Sequence, residues 1–356
     1  MKKIALIAEF NPFHNGHSYI IKKIKKMYKD ALLIIIMSGN YTMRGEISLL
    51  NEYEKTYLAL LDGADLVIKL PFVYSSQSAD TFSEGALKIA SLLKVDTLVF
   101  GSETNDKDKL LKIAQKLLTS KVLDKDLSYP KAINKAYSID LKSNDILAVS
   151  YIKEIIKNNY NIEIVPLQRT NSYNDKNISS ISSATAIREA FNKHKNYSKA
   201  ISKEGYKLLK KKKPLDIYPL FKYKVLSERD LTIYNDVDKD LHYKFKKNIN
   251  YNNMDDFLTH VKTKEITINR IKRCMMNIIL NFYKQDNIKE ITSIRVLGFS
   301  KRGRTYLNKI KKEIKLPFIT NANKDDNLLK LDNQVDKIYD LLNEEIIDRS
   351  KPLIKE

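Results

Sequence analysis

Residues Ile4 to Ala8 form an apolar run that passes directly into Glu9-Phe10-Asn11-Pro12-Phe13-His14-Asn15-Gly16-His17-Ser18. That junction constrains the fold more than any other stretch of the chain. A buried strand must end there and a helix begin, which is the turn on which α/β proteins seat anions. His14 and His17 lie three residues apart across the helix start, so both imidazoles can project from one side of the first turn. Gly16 has no side chain to keep an anion away from the backbone. The free N–H groups and the positive end of the helix dipole add to the attraction. Two histidines at this spacing also suit zinc, but no partner at metal-ligand spacing completes such a site. A plain helix cap is the remaining alternative, and the phosphates of a nucleotide are the better reading.

The rest of the first ~190 residues alternates apolar strands with helical periodicity, the pattern of a parallel sheet with crossover helices. Strands are expected at Lys3–Ala8, Ala31–Met37, Asp65–Lys69, Asp96–Gly101 and Ile162–Leu167. Helices are expected at His17–Tyr28, Asn51–Leu61, Ser83–Leu93 and Asn144–Lys157, with a helical insertion over Lys107–Tyr137. The fold expected is therefore a Rossmann-like α/β domain over residues 1–195. A basic connector follows at 196–214, marked by Lys210-Lys211-Lys212-Lys213-Pro214. Residues 215–356 read as a smaller, mostly helical unit. Its helices are expected at Ile217–Ser227, Asp256–Lys264, Ile266–Tyr283 and Asn327–Asn343, with one strand at Ser293–Phe299.

Charge separates these two halves. The formal net charge is +20, and lysine is used throughout. Residues 1–100 carry 12 basic and 10 acidic side chains, whereas residues 201–313 carry 27 and 13. A compositional bias acting on the whole chain does not produce that contrast, whereas a polyanionic partner for the second half does. Three basic groups stand out: Arg270, Lys272 and Arg273 on one helix, Arg295 on the late strand, and Lys301, Arg302 and Arg304 after it. Phe299 and Tyr306 stand close enough in sequence to stack on a base. Cys274 is the sole cysteine, so no intrachain disulfide forms, and a reducing cytoplasm is the expected compartment. No apolar run approaches the ~20 residues of a membrane helix, so no membrane partner is expected.

A second anion cradle is legible at Ile181-Ser182-Ser183-Ala184-Thr185-Ala186-Ile187-Arg188, where hydroxyls at a helix start precede an arginine one turn in. Alone such a cap is common; together with the H-x-G-H tetrad it can grip one triphosphate from two strand ends. Further stretches are Met37-Ser38-Gly39, Arg44-Gly45-Glu46, Phe100-Gly101-Ser102-Glu103, Asn144-Asp145-Ile146-Leu147 and Arg295-Val296-Leu297-Gly298-Phe299. In order and spacing the set resembles the bacterial tRNA(Met) cytidine acetate ligase family, within the H-x-G-H nucleotidylyltransferase superfamily.

The resemblance implies a ligase that activates acetate with ATP, releasing diphosphate, and then acetylates N4 of the wobble cytidine of elongator tRNA(Met). It implies His14, His17 and Arg188 as catalytic residues. It places ATP contacts along Ile7, Ala8, Glu9, Phe10, Asn11, Pro12, Phe13, His14, Asn15, Gly16, His17, Ser18, Tyr19 and Ile20. Further contacts are implied at Gly101, Asn144, Arg169, Thr170, Ser182, Ser183, Thr185 and Arg188, with magnesium accompanying the triphosphate. Asp145 stands where the family pattern has a second asparagine. Two other readings compete: a nucleotidylyltransferase acting on a small phosphorylated cofactor precursor, and a non-catalytic RNA-binding protein. The first leaves the basic half unexplained, and the second has no need of both histidines. A class I aminoacyl-tRNA synthetase would carry a K-M-S-K-S element, whose place is taken by Ile181–Arg188.

Overall fold

Leu32–Ser38 and Leu66–Leu70 are buried along their whole length and lie inside the sheet, mostly apolar but with Ser38 and the ion-paired Lys69 among them. A computed structural model describes residues 1–119, 127, 129–137, 140–169, 179–322 and 327–356 of the chain. The first half runs β1 (Lys3–Ala8), α1 (Asn15–Met27), β2 (Leu32–Ser38), α2 (Glu52–Leu61) and β3 (Leu66–Leu70). The short α3 (Phe72–Ser75) and α4 (Ala79–Leu92) lead to β4 (Thr97–Ser102). Then α5 (Lys107–Thr119), α6 (Tyr129–Tyr137) and α7 (Ser143–Lys157) lead to β5 (Glu163–Gln168). These strands pair in parallel in the order β5-β4-β1-β2-β3. The order reverses between β1 and β4, and that switch point opens the ligand crevice beyond their carboxyl ends.

Alternate residues of each strand enter different cores. Ala5, Ile34, Ile36, Ile68 and Leu98 face one layer with α4 and α7. Ile4, Leu33, Ile35, Val67 and Val99 face the other, beneath α1 and α2. The expected strands are all present, within a residue or two at their ends. The expected insertion is two helices, α5 and α6, and the expected helix from Ser83 begins earlier, at Ala79, because Ser78 caps it.

The second half contributes α8 (Ala184–Asn192), α9 (Lys203–Leu209), α10 (Tyr218–Ser227), α11 (Lys239–Asn248), α12 (Met254–Val261) and α13 (Ile268–Ile279). Helices α10 to α12 close on the rings of Tyr218, Phe221, Phe245 and Phe257. Next come β6 (Ile294–Ser300), α14 (Lys301–Ile310), β7 (Phe318–Ile319), α15 (Lys330–Asn343) and β8 (Leu353–Lys355). The late strand read from the sequence as part of a helical unit returns to the main sheet. There β6 lies antiparallel to β3, with β7 and β8 parallel to it on its outer side.

A buried ion cluster locks α15 and the C-terminal segment onto this edge. Lys69 of β3 reaches Glu52 at 2.7 Å and Asp336 at 2.5 Å. Arg349 meets Asp340 at 2.7 Å and Glu52 at 3.3 Å. Removing one member of such a set leaves its partner charged in a low-dielectric interior. Asp336→Ala is expected to lower unfolding free energy by about 3 kcal/mol or more in urea denaturation. A change under about 0.5 kcal/mol, the scale of an ordinary surface substitution, would show that α15 is held by other means.

Candidate active site

The crevice is built from the loop after β1, the turn after β2 and the starts of α7 and α8. In the first loop the backbone turns sharply: Phe10 has φ of +53° and the Asn11–Pro12 peptide is cis. His14 then caps α1. Its Nδ1 accepts from the Gly16 N–H at 3.0 Å, while the His14 N–H donates to Nδ1 of His17 at 3.3 Å. A Cβ on residue 16 would sit 2.7 Å from the His14 ring, so glycine is required for the ring to fold over the helix start. The two rings lie 3.8 Å apart, and Phe10 and Phe13 flank His17.

This capping geometry decides the tautomers. Each Nδ1 is an acceptor, so each neutral ring carries its proton on Nε2 and turns that donor away from the helix. Burial, reinforced by Arg169 and Arg188, pushes His14 down to about 3. Burial also holds His17 well below its ordinary value, with His14 and Arg169 adding to the effect. Both rings are therefore neutral donors across the physiological range.

Arg188 enters from α8. It donates to the Asn11 carbonyl at 2.8 Å and to Thr185 Oγ1 at 3.3 Å, and pairs with Glu46 at 3.2 Å. Arg169 follows β5 and lies across Gly101, and its buried Nε has no partner among the described residues. The open side of Gly101, one of the implied ATP contacts, is thus faced by the Arg169 side chain. Buried Asn11 Nδ2 is likewise unpartnered, whereas Asn11 Oδ1 accepts from the Leu49 N–H at 3.0 Å.

Several expected nucleotide contacts are engaged within the protein. Ser182 closes a turn with Ser179, and Ser183 caps α8 by accepting from Ala186. Both hydroxyls are buried, so the second cradle presents Arg188 rather than a row of free hydroxyls. The Asn15 amide donates to the carbonyls of Ser180 and Lys199. Asn144 bonds Glu103, and Asp145 accepts from Ser102 Oγ and the N–H groups of Glu103 and Thr104. Asp145 is thereby fixed as the anchor of the turn after β4. Ile7 lies in the first core, Ile20 packs against the second, and Tyr19 is exposed beneath Lys23. Thr170 lies outside the described residues.

Two residues that the sequence did not single out hold the crevice in shape. Lys55, in mid-helix, donates to the carbonyls of Glu9 at 3.0 Å, Ser38 at 2.9 Å and Gly39 at 2.5 Å. Burial pushes its ammonium down to about 7, against the pull of Glu52 and Glu9. Glu9, raised by burial, accepts from the Met43 N–H at 2.6 Å and so fixes the turn containing Arg44, Gly45 and Glu46. Apart from apolar neighbours, a lysine on α2 carries no sequence signal for this role.

The basic groups expected to meet RNA divide sharply. Arg270 pairs with Asp236 and Asp238, Lys272 with Glu46, and Arg273 donates to the Met43 carbonyl. Helix α13 is thus clasped to the turn after β2 rather than presenting three free cations. Gly45 shows how tightly: its φ is +68°, and a Cβ there would lie 2.3 Å from the Arg273 nitrogen. Arg295 is buried, donating to Tyr53 and to the carbonyls of Ile319 and Arg349. It ties strands and tail together and is no surface phosphate contact. Phe299 and Tyr306 are also buried, so neither is open for stacking.

Because β6 runs antiparallel, Lys301, Arg302 and Arg304 emerge at the opposite end of the sheet from the histidines. Lys301 and Arg304 are exposed there, while Arg302 donates to the carbonyls of Asp30 and Ala31.

The depressed histidines have a measurable consequence. An unfolded His14 takes up a proton below its ordinary value of 6.5, while the folded one stays neutral down to about 3. Stability therefore falls as pH drops from 6.5 through that window. Between pH 7.5 and 5.0, wild type is expected to lose about 2 kcal/mol more unfolding free energy than His14→Asn. Equal losses in urea titrations of the two proteins would refute the buried neutral assignment.

The profile of the HIGH Nucleotidyl Transferase family matches residues 1–352. A tRNA(Met) cytidine acetate ligase of Fusobacterium nucleatum is 36% identical over 336 residues, spanning 87% of this chain and 85% of the relative. The crystal structure of Thermotoga maritima TmcAL in its apo form superposes with a TM-score of 0.87 at 26% identity. The same protein bound with alpha-thio ATP superposes with a TM-score of 0.83, and each match covers 99% of both chains. The paired neutral imidazoles at the start of α1 thus sit in a chain that, over nearly its full length, belongs to the tRNA(Met) cytidine acetate ligase family of HIGH nucleotidyl transferases.

Proposed function

We propose that this chain is an ATP-dependent ligase that converts acetate to acetyl-adenylate and acetylates N4 of the wobble cytidine of elongator tRNA(Met). The observation that carries the reading is the pair of Nε2–H donors fixed by the capping bonds of His14 and His17. In the first step an acetate oxygen bonds to the α-phosphorus of ATP as the bond to diphosphate breaks. Negative charge grows on the phosphate oxygens, and preorganised donors there lower the barrier. The two imidazoles supply them beside the α1 N-terminus, and Arg188 and Arg169 add positive charge from either side. In the second step the cytidine N4 bonds to the acetyl carbon, the mixed anhydride breaks, AMP leaves with the electron pair, and one N4 proton is released.

Magnesium would travel with the triphosphate. Phosphate oxygens and water would supply most of its ligands. The division of labour proposed is nucleotide activation by residues 1–195, with the 196–214 connector and residues 215–356 engaging RNA. Among the described residues no helix is long and apolar enough to cross a membrane, and the cytoplasm is the proposed compartment.

The test is incubation with ATP, labelled acetate and tRNA, followed by mass spectrometry of the nucleosides. Label is expected in N4-acetylcytidine. Transfer from acetyl-coenzyme A without ATP would overturn the ligase reading, as would diphosphate release with a phosphate monoester in place of acetate.

His14→Ala or His17→Ala is expected to reduce acetate-dependent ATP–diphosphate exchange by roughly 100-fold or more, the usual cost of losing a transition-state donor. Normal exchange by either variant would remove the histidines from the mechanism.

A further inference from the structure

Behind the turn after β2 lies a second cavity, of about 160 Å³, which meets the nucleotide crevice at Arg188. The 45–49 turn, the chain from Lys213 to Ile217, and helices α8, α12, α13 and α15 meet there. Leu215, Ile217, Met254 and Met275 supply apolar walls. Glu46, Arg188 and Lys272 supply a charged one, with both cations already held on the Glu46 carboxylate. Arg188 also donates to Asn11 in the nucleotide loop, so one guanidinium is shared between this cavity and the nucleotide crevice.

We infer that this cavity takes the target cytosine of the RNA, with Lys213 meeting an adjoining phosphate. The inference rests on the ligase reading above. Size is the first argument: an enclosed cavity of ~150 Å³ holds one benzene ring, so this volume has room for a single pyrimidine. Apolar side chains of this kind suit the two faces of a ring. Charge is the second. Glu46 Oε2 carries the ion pair with Arg188 but no hydrogen bond among the described residues. A carboxylate accepts from the cytosine N4 amine and repels the O4 of uracil, so it separates the two pyrimidines. The rim is the third. Lys213 and Asn192 are exposed, with no ion pair or hydrogen bond among the described residues, and they border the opening. The neighbouring connector lysine, Lys212, is by contrast paired with Glu54 and Glu345.

The experiment compares Leu215→Trp, which fills the cavity mouth, with Lys213→Glu at the exposed rim. Acetate-dependent ATP–diphosphate exchange is measured without RNA. Acetyl transfer and binding are measured with synthetic anticodon stem-loops carrying cytidine or uridine at the target position. Exchange by Leu215→Trp is expected within about twofold of wild type, with transfer reduced roughly tenfold or more and the preference for the cytidine loop abolished. Lys213→Glu is expected to weaken both loops alike, reduce the salt dependence and keep the preference. Its exposed position keeps the second arm readable if the tryptophan variant does not fold.

Undiminished transfer and an intact cytidine preference in Leu215→Trp would overturn the assignment. So would a raised KM for acetate in the exchange reaction, which would give the cavity to the acid instead. For Lys213→Glu, unchanged affinity for both loops would overturn the phosphate contact. Failure of wild type to exchange with acetate would count against the ligase reading itself, and so is distinguishable.

Discussion

The ammonium of Lys55 is the tie on which the catalytic edge depends. It is buried in the middle of α2 and donates to three main-chain carbonyls at the carboxyl ends of β1 and β2. Those oxygens would otherwise face one another in a dry interior, where each unmet acceptor is costly. With them gathered on one cation, the loop after β1 leaves the sheet at a fixed point and His14 arrives at the start of α1. The capping bonds then set both histidine tautomers. A lysine hydrogen-bonded to neither histidine thus holds the start of the loop that carries both.

The charge of the second half has a more divided meaning than its total suggests. Arg270, Lys272, Arg273 and Arg295 spend their charge on carboxylates, carbonyls and a phenol inside the fold. They fasten helix and strand to the catalytic edge. What remains open includes Lys210, Lys211 and Lys213 of the connector, together with the far-end Lys301 and Arg304. A basic excess in sequence measures the sum of these two uses. Only the pairing partners separate a structural clasp from a surface that attracts phosphate.

The strands and the H-x-G-H helix were legible because apolar runs of fixed length and a capping tetrad leave few alternatives. His14, His17 and Arg188 converge as their motifs imply. Ser182 and Ser183 show the limit of such reading: a hydroxyl pattern does not reveal whether the oxygen faces a ligand or closes its own turn. Gly101 is a second case, since its open face is taken by a side chain 68 positions later in the chain. Arg295 and the partners of Lys69 depend on long-range pairing, which composition and periodicity do not encode. The final sheet order could not be read for the same reason, because an antiparallel neighbour for β3 comes from residues that look helical on either side.

That late neighbour shapes how the chain comes into being. Until β6 is synthesised, the outer edge of β3 has no strand to pair with, and Lys69 lacks the aspartates of α15. Most of the polypeptide must leave the ribosome before either need is met. During that interval the nascent sheet exposes an apolar edge of the sort that recruits other chains. Closure of this edge requires contacts between distant parts of the sequence, which form slowly. A ribosome stalled before residue 294 would therefore leave a nucleotide crevice attached to an open sheet.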